Sequence, residues 1–221
     1  MNLRLLLEHL IFPRSCPVCG AAATVICPEC LEQAAGQNRA SPVCLECGAF
    51  APCEKHGRRY EVRPLTQYRD TSRDLLLYAK YQGSGLLARA MGRRLAPLLS
   101  DAGSGWNIVF IPPHIRLHVV PGGDTHLEWM ARGLSEQTGF PVSRCLKWKH
   151  PNTPQKQQPT AAARRAMPRD SFQSKTPPRQ VILLDDVYTT GTTLLRAAQC
   201  LYSAGAEKVL SVCWAAVELK A

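Results

Sequence analysis

Short apolar runs alternate with amphipathic stretches over the second half of this chain. Residues 107–111, 181–184 and 208–217 have the length and composition of strands, whereas 72–81, 85–99 and 124–137 carry apolar residues at helical spacing. The run 181–184 is wholly apolar, which is typical of a strand covered on both faces of a parallel sheet. Repeated strand and helix units predict an α/β fold with a mostly parallel sheet.

The N-terminal region differs, because seven of the ten cysteines fall before residue 54. They form three CxxC pairs, and a fourth pair ends in histidine. Each such turn directs two ligands at one metal, so the eight residues predict two closed tetrahedral zinc sites. The simplest arrangement joins neighbouring pairs in sequence, although the spacing also allows a crossed pairing. The candidate ligands are Cys16, Cys19, Cys27, Cys30, Cys44, Cys47, Cys53 and His56.

Disulfide bonds in an exported protein would be the alternative use of these cysteines. The opening segment argues against export, because Glu8 and His9 interrupt its apolar run and it has no AxA cleavage site. No later stretch approaches the roughly 20 apolar residues of a membrane span. We therefore expect a cytoplasmic protein with reduced, metal-binding cysteines. Two units are predicted, a zinc-binding module at 1–60, where metal replaces a scarce core, and an α/β domain at 61–221.

The most informative segment follows the apolar run 181–184. Two acids and a hydroxyl-rich turn around one glycine precede a helical pattern at 194–204. Ligands of parallel sheets bind at the carboxyl ends of the strands, and a helix start offers N–H groups to an anion. The segment therefore predicts a phosphate site whose acids face a sugar. A capped helix after a core strand is the alternative, but it explains only one or two of these residues. The candidates are Asp185, Asp186, Thr189, Thr190, Gly191, Thr192 and Thr193.

This segment resembles the 5-phosphoribosyl-1-pyrophosphate (PRPP) motif of type I phosphoribosyltransferases. With the strings LIFPRSCPVCG, CLECG, LYAKY and VFIPPH in order before it, the chain resembles the ComF family, which includes competence proteins. The resemblance implies a zinc-binding module on a phosphoribosyltransferase-type sheet, PRPP bound with Mg²⁺, and a role in DNA uptake with other competence proteins as partners. Catalysis is left open, because GGDTHL at 122–127 replaces the RGFNQ-like segment of the family.

Basic residues dominate between 143 and 179, where nine cations stand against the single acid Asp170. The prolines of this stretch and its lack of periodicity predict a long mobile loop and not a strand. Such a loop, in a chain of net charge +10, can attract a pyrophosphate or a nucleic acid, and Trp148 can stack on a base. The alternative function is therefore a non-catalytic protein that binds single-stranded nucleic acid and uses the fold as a scaffold.

Overall fold

The architecture was obtained as a computed structural model, which describes residues 15–22, 24–36, 40–82, 84–113, 124–149 and 167–217. Its strands are β1 (Val43–Cys44), β2 (Glu61–Gln67), β3 (Trp106–Phe110), β4 (Val142–Ser143), β5 (Leu146–Trp148), β6 (Phe172–Ser174), β7 (Gln180–Tyr188) and β8 (Lys208–Ala216). Six of them form one sheet in the order β1-β2-β8-β7-β3-β4. Every neighbouring pair is parallel except β1 with β2. The predicted mostly parallel α/β sheet is confirmed.

The helices are α1 (Pro28–Gly36), α2 (Asp70–Tyr81), α3 (Gly85–Arg93), α4 (His126–Thr138) and α5 (Thr192–Ser203), with a short 3₁₀ helix at Ala96–Leu99. Local capping fixes several ends. The Ser84 and Thr125 hydroxyls accept N–H hydrogen bonds at the starts of α3 and α4, and Gly139 ends α4 in the left-handed region at φ 75°. Of the five α-helices in the described ranges, four agree with the prediction to within a few residues at most ends, whereas α1 was not predicted.

Tight packing in the core fixes the position of β7 and of the start of α4. Residues 181–184 are fully buried, as their composition predicts. The helices α3 and α4 cross very closely. A Cβ atom at Gly92 would lie 2.0 Å from the Met130 carbonyl oxygen, and a Cβ atom at Gly133 would lie 2.0 Å from the Arg89 carbonyl oxygen. These glycines let the two backbones touch, so the start of α4 is held firmly relative to the sheet.

Two expectations from the sequence are corrected. The strand predicted at 181–184 does not stop at Leu184 but runs through both acids to Tyr188, because β8 pairs with it over that whole length. Part of the basic stretch is also strand, since β5 and β6 form an antiparallel pair. Leu146 and Phe172 are buried there, so tertiary packing stabilises two strands that the sequence periodicity did not predict. The middle of that stretch, residues 150–166, lies outside the described residues.

The N-terminal region is joined directly to the sheet, because β1 pairs with β2 at Val43↔Val62 and Cys44↔Glu61. The division into units at residue 60 remains a prediction. No helix in the described part of the chain is both long and apolar enough to cross a membrane.

Candidate functional site

The hydroxyl-rich turn lies between β7 and α5, at the carboxyl edge of the sheet. Gly191 adopts φ 72°, and a Cβ atom there would lie 2.6 Å from the Tyr188 ring. Only glycine fits this position without strain. The Thr190 and Thr192 hydroxyl oxygens lie 3.0 Å apart. No side chain caps the start of α5, so its first N–H groups can bind an anion together with the hydroxyls.

Asp186 lies beside this turn and is held by two cationic or potentially cationic side chains. The Lys80 ammonium donates to Asp186 Oδ2 at 2.8 Å, and His126 Nε2–H donates to the same oxygen at 2.9 Å. The other carboxylate oxygen accepts the Val187 N–H at 2.7 Å. Although burial opposes ionisation, these hydrogen bonds and the Lys80 charge lower the pKa of Asp186. Asp186 is therefore a carboxylate at neutral pH.

Asp185 is the opposite case. Burial raises its pKa to about 8, and the neighbouring Asp186 charge adds to the shift. Its Oδ1 accepts the Asp186 N–H at 2.9 Å. At neutral pH the pair therefore carries about one negative charge in place of two, and Lys80 balances that charge. A ligand phosphate can thus approach the acids without strong repulsion.

Lys80 and His126 were not recognised from the sequence as site residues. They reach Asp186 from 106 and 60 positions away along the chain. Lys80 is the lysine of the LYAKY string, and His126 belongs to the GGDTHL segment that replaces the RGFNQ-like segment of the family. His126 is 7% exposed, and its Nδ1 atom has no hydrogen-bond partner among the described residues. The segment at 122–127 therefore contributes a buried polar group directly to the acid pair.

Three of the six cations of the basic stretch that the structure describes form ion pairs. Arg144 forms an ion pair with Glu128, Lys149 bonds Asp170 at 2.9 Å, and Arg179 bonds Glu207 at 2.7 Å. Two of the acidic partners, Glu128 and Glu207, lie outside 143–179 in sequence, so the charge of that range alone does not show these pairs. Because these pairs involve half of the described cations, this part of the stretch is less suited to attract a polyanion than its composition indicates.

Trp148 was expected to be available for stacking on a base. Instead its ring lies 4.1 Å from that of Phe172, and its indole N–H donates to the Pro112 carbonyl oxygen at 2.7 Å. These contacts attach the β5–β6 hairpin to the end of β3. The side chain therefore has a structural role in this conformation.

The eight predicted metal ligands form two groups, Cys16, Cys19, Cys27 and Cys30 in one and Cys44, Cys47, Cys53 and His56 in the other. Within each group the ligand atoms all lie within 4.8 Å of one another. Neighbouring pairs in sequence are thus brought together, and not crossed ones. The ten cysteines are free thiols in this structure.

The distances within the groups fit zinc. Sulfur atoms lie 3.6 Å apart for Cys19 and Cys27 and 3.8 Å apart for Cys47 and Cys53, and the Cys44 sulfur lies 3.5 Å from His56 Nδ1. Ideal tetrahedral Zn–S and Zn–N bonds of about 2.3 and 2.1 Å would place sulfurs roughly 3.8 Å apart and sulfur and nitrogen roughly 3.6 Å apart. Both groups can therefore bind zinc, with four protein ligands each and no open position for substrate.

Comparison with known proteins agrees with this architecture. Residues 130–218 match the family model of the phosphoribosyl transferase domain. Competence protein ComFC of Streptococcus pneumoniae (strain ATCC BAA-255 / R6) is 24% identical over 183 residues, covering 83% of this chain and 77% of that protein.

Two solved enzymes also match. They are the allosteric regulatory enzyme of purine biosynthesis, at 24% identity and a TM-score of 0.39, and the glutamine PRPP amidotransferase of B. subtilis complexed with ADP and GMP, at 23% and 0.36. Each match covers 57% of this chain and 25% of the enzyme, so the chain aligns with about a quarter of the length of either.

Proposed function

We propose that this chain, which belongs to the ComF family, binds PRPP or a related phosphoribosyl ligand at the carboxyl edge of its sheet and supports DNA uptake in natural competence. One observation carries the binding proposal. Asp186, at the end of β7, is fixed as a carboxylate by Lys80 and His126 beside the Gly191 turn. The family supplies the link to competence, and the geometry supports the ligand.

Each part of the ligand has a group to receive it. The 5-phosphate would accept N–H and hydroxyl hydrogen bonds from the Gly191 turn and the start of α5. The ribose hydroxyls would donate to the acids, where Asp186 is already ionised and Asp185 can accept or donate according to pH. Mg²⁺ would arrive with the pyrophosphate and neutralise its charge. A catalysed transfer would further need an acceptor that attacks C1 of the ribose.

Calorimetric titration of PRPP with Mg²⁺ into the zinc-loaded protein tests this proposal. Lys80→Met keeps much of the side-chain volume but removes the charge, and Asp186→Asn removes the carboxylate. Loss of one charge-assisted contact should weaken binding by roughly tenfold or more. Arg73→Met, which changes an exposed cation near the start of α2, far along the helix from Lys80, is the control and should bind like the wild type.

Two results would contradict the binding proposal. The first is no binding of PRPP by the folded, zinc-loaded wild type. The second is binding of unchanged affinity in both Lys80→Met and Asp186→Asn. Ribose 5-phosphate, titrated in parallel, measures the affinity that comes from the phosphate and ribose contacts alone, because it lacks the pyrophosphate. If PRPP binds, incubation with candidate bases and amines while pyrophosphate release is measured tests for catalysis.

The competence role needs a separate test in cells. Deleting the coding sequence should lower transformation by added DNA, and the wild-type chain should restore it. A chain with Lys80→Met should restore it less well if the ligand site serves that role. Full transformation without the protein would refute the link to DNA uptake, whatever the outcome of the binding experiment.

A further inference from the structure

A second cleft lies at the amino-terminal edge of the sheet, away from the acid pair. It has a volume of 480 Å³, and its walls come from the starts of β2, β3 and β8, the turn after the second cysteine group and the end of α5. Because β7 and β8 run parallel with Gln180 opposite Lys208 and Asp185 opposite Cys213, five residues at about 3.3 Å separate the two edges, on the order of 16 Å. The side chains that carry its chemistry are Arg58, Arg59, Glu61, Trp106, Tyr202 and Lys208.

Two cations of this cleft are available to an anion. Neither Arg59 nor Lys208 forms an ion pair with a residue in the described ranges, and both are exposed. Arg63 on the cleft wall differs, because Asp101 and Glu61 both accept its hydrogen bonds. Positive charge that is not already paired inside the protein can bind phosphate.

Aromatic rings stand beside these cations in fixed positions. The Tyr202 hydroxyl donates to the Arg59 carbonyl oxygen at 2.8 Å and accepts the Val209 N–H at 3.1 Å, so the ring cannot swing away. The Arg59 guanidinium carbon lies 4.7 Å from the centroid of that ring. Trp106, at the start of β3, is half-buried on the same cleft. Aromatic rings beside a cation are a common setting for a stacked nucleobase.

Glu61 adds a hydrogen-bond acceptor, because one of its carboxylate oxygens has no hydrogen bond to a described residue. Its side chain is 4% exposed, and Oε2 makes no hydrogen bond to a described residue, with the exposed Arg58 guanidinium 3.5 Å away. The other oxygen accepts the Arg63 Nε–H at 2.6 Å. A buried carboxylate oxygen without a hydrogen bond is unfavourable, and a ligand N–H can satisfy it once Arg58 moves.

We propose that this cleft binds a nucleoside phosphate, either free or as one unit of a single-stranded nucleic acid. The phosphate contacts Arg59 and Lys208, the base stacks at Trp106 and Tyr202, and an N–H of the base donates to Glu61. The volume lies in the range of pockets that take small organic ligands. The site is independent of the phosphoribosyl site, so each can be tested without the other.

The test uses 5′-GMP, whose base presents two N–H donors on one edge, and a short single-stranded DNA oligonucleotide. Each is titrated calorimetrically, and by tryptophan fluorescence, into the zinc-loaded full chain. Arg59→Ala and Lys208→Ala should each weaken binding about tenfold, as expected for a charge-assisted contact. Arg73→Ala, which changes an exposed cation outside both the cleft and the basic stretch, should have no effect. Trp106→Phe should remove most of the fluorescence quenching that accompanies binding.

Asp186→Asn separates this cleft from the phosphoribosyl site. Binding of GMP that survives in that variant but weakens in Arg59→Ala supports the proposal with a free nucleotide as ligand. Binding of the oligonucleotide alone, with the same dependence on Arg59 and Lys208, supports it with a strand as ligand. The proposal is overturned if neither probe binds, if both cleft variants bind like Arg73→Ala, or if only Asp186→Asn loses binding.

Discussion

Replacing Asp185 by Asn should remove a pH dependence from the stability of this protein. Burial raises the pKa of Asp185 to about 8, well above the value of about 3.9 in an unfolded chain. Between these values the folded protein keeps a proton that the unfolded chain releases, so stability falls as pH rises. One full proton corresponds to about 1.4 kcal/mol per pH unit, hence at most about 3 kcal/mol from pH 5 to pH 7. Asparagine is neutral and keeps the oxygen that accepts the Asp186 N–H.

Urea unfolding of both proteins at pH 5, 6 and 7, with saturating zinc, measures the effect. Zinc binding itself depends on pH, but both proteins share the same ligands, so that contribution cancels in the difference. The unfolding free energy of Asp185→Asn relative to wild type should rise by roughly 2 to 3 kcal/mol from pH 5 to pH 7. A constant difference would show that Asp185 is ionised throughout, and the charge balance inferred for the acid pair would be wrong.

Three further substitutions test the metal site, the turn and the helix crossing. Cys47→Ser should lower bound zinc from about two ions per chain to about one by metal analysis, and unchanged zinc would contradict the second cluster. Gly191→Ala puts a side chain at φ 72°, so PRPP affinity should fall at least about tenfold and the unfolding free energy by about 1 to 2 kcal/mol. Gly92→Ala would place a Cβ atom 2.0 Å from the Met130 carbonyl oxygen, so the free energy of unfolding should fall by about 3 kcal/mol. Gly103 has open space around it, so Gly103→Ala should leave the unfolding free energy nearly unchanged and serves as the control.

The sheet and most helices could be predicted because their residues are patterned locally. The run 181–184 is apolar throughout, and α4 shows helical spacing with a glycine stop. β2 escaped prediction because its sequence EVRPLTQ contains a proline and charged residues, which are rare inside strands. Its polar side chains are nevertheless accommodated, since Glu61 and Arg63 bond one another at the strand's start. Tertiary pairing with β8 therefore overrides the local preference.

The candidate site could likewise be predicted only in part from the sequence. The acids and the Gly191 turn are contiguous in sequence, so the pattern alone locates them. Lys80 and His126 come from the end of α2 and the start of α4, and only the packing of those helices brings them to one oxygen of Asp186. The segment at 122–127 reads GGDTHL in place of the RGFNQ-like segment of the family. The histidine it contains has no counterpart in that pattern, so its position had to come from the fold.

The second cysteine group forms part of the structure behind the Gly191 turn. Cys44, a candidate zinc ligand of this group, lies in β1 on the sheet, and the next side chain, Leu45, would be 3.2 Å from a Cβ atom at Gly191. Metal that fixes the knuckle therefore also fixes one wall behind the turn. Since coupling between two binding equilibria is reciprocal, a phosphoribosyl ligand that orders the turn should slow zinc release from this cluster. The atoms nearest to a Cβ atom at Gly191 belong to Tyr188 and Leu45 and not to the first cluster, so zinc there should be released at the same rate with and without ligand.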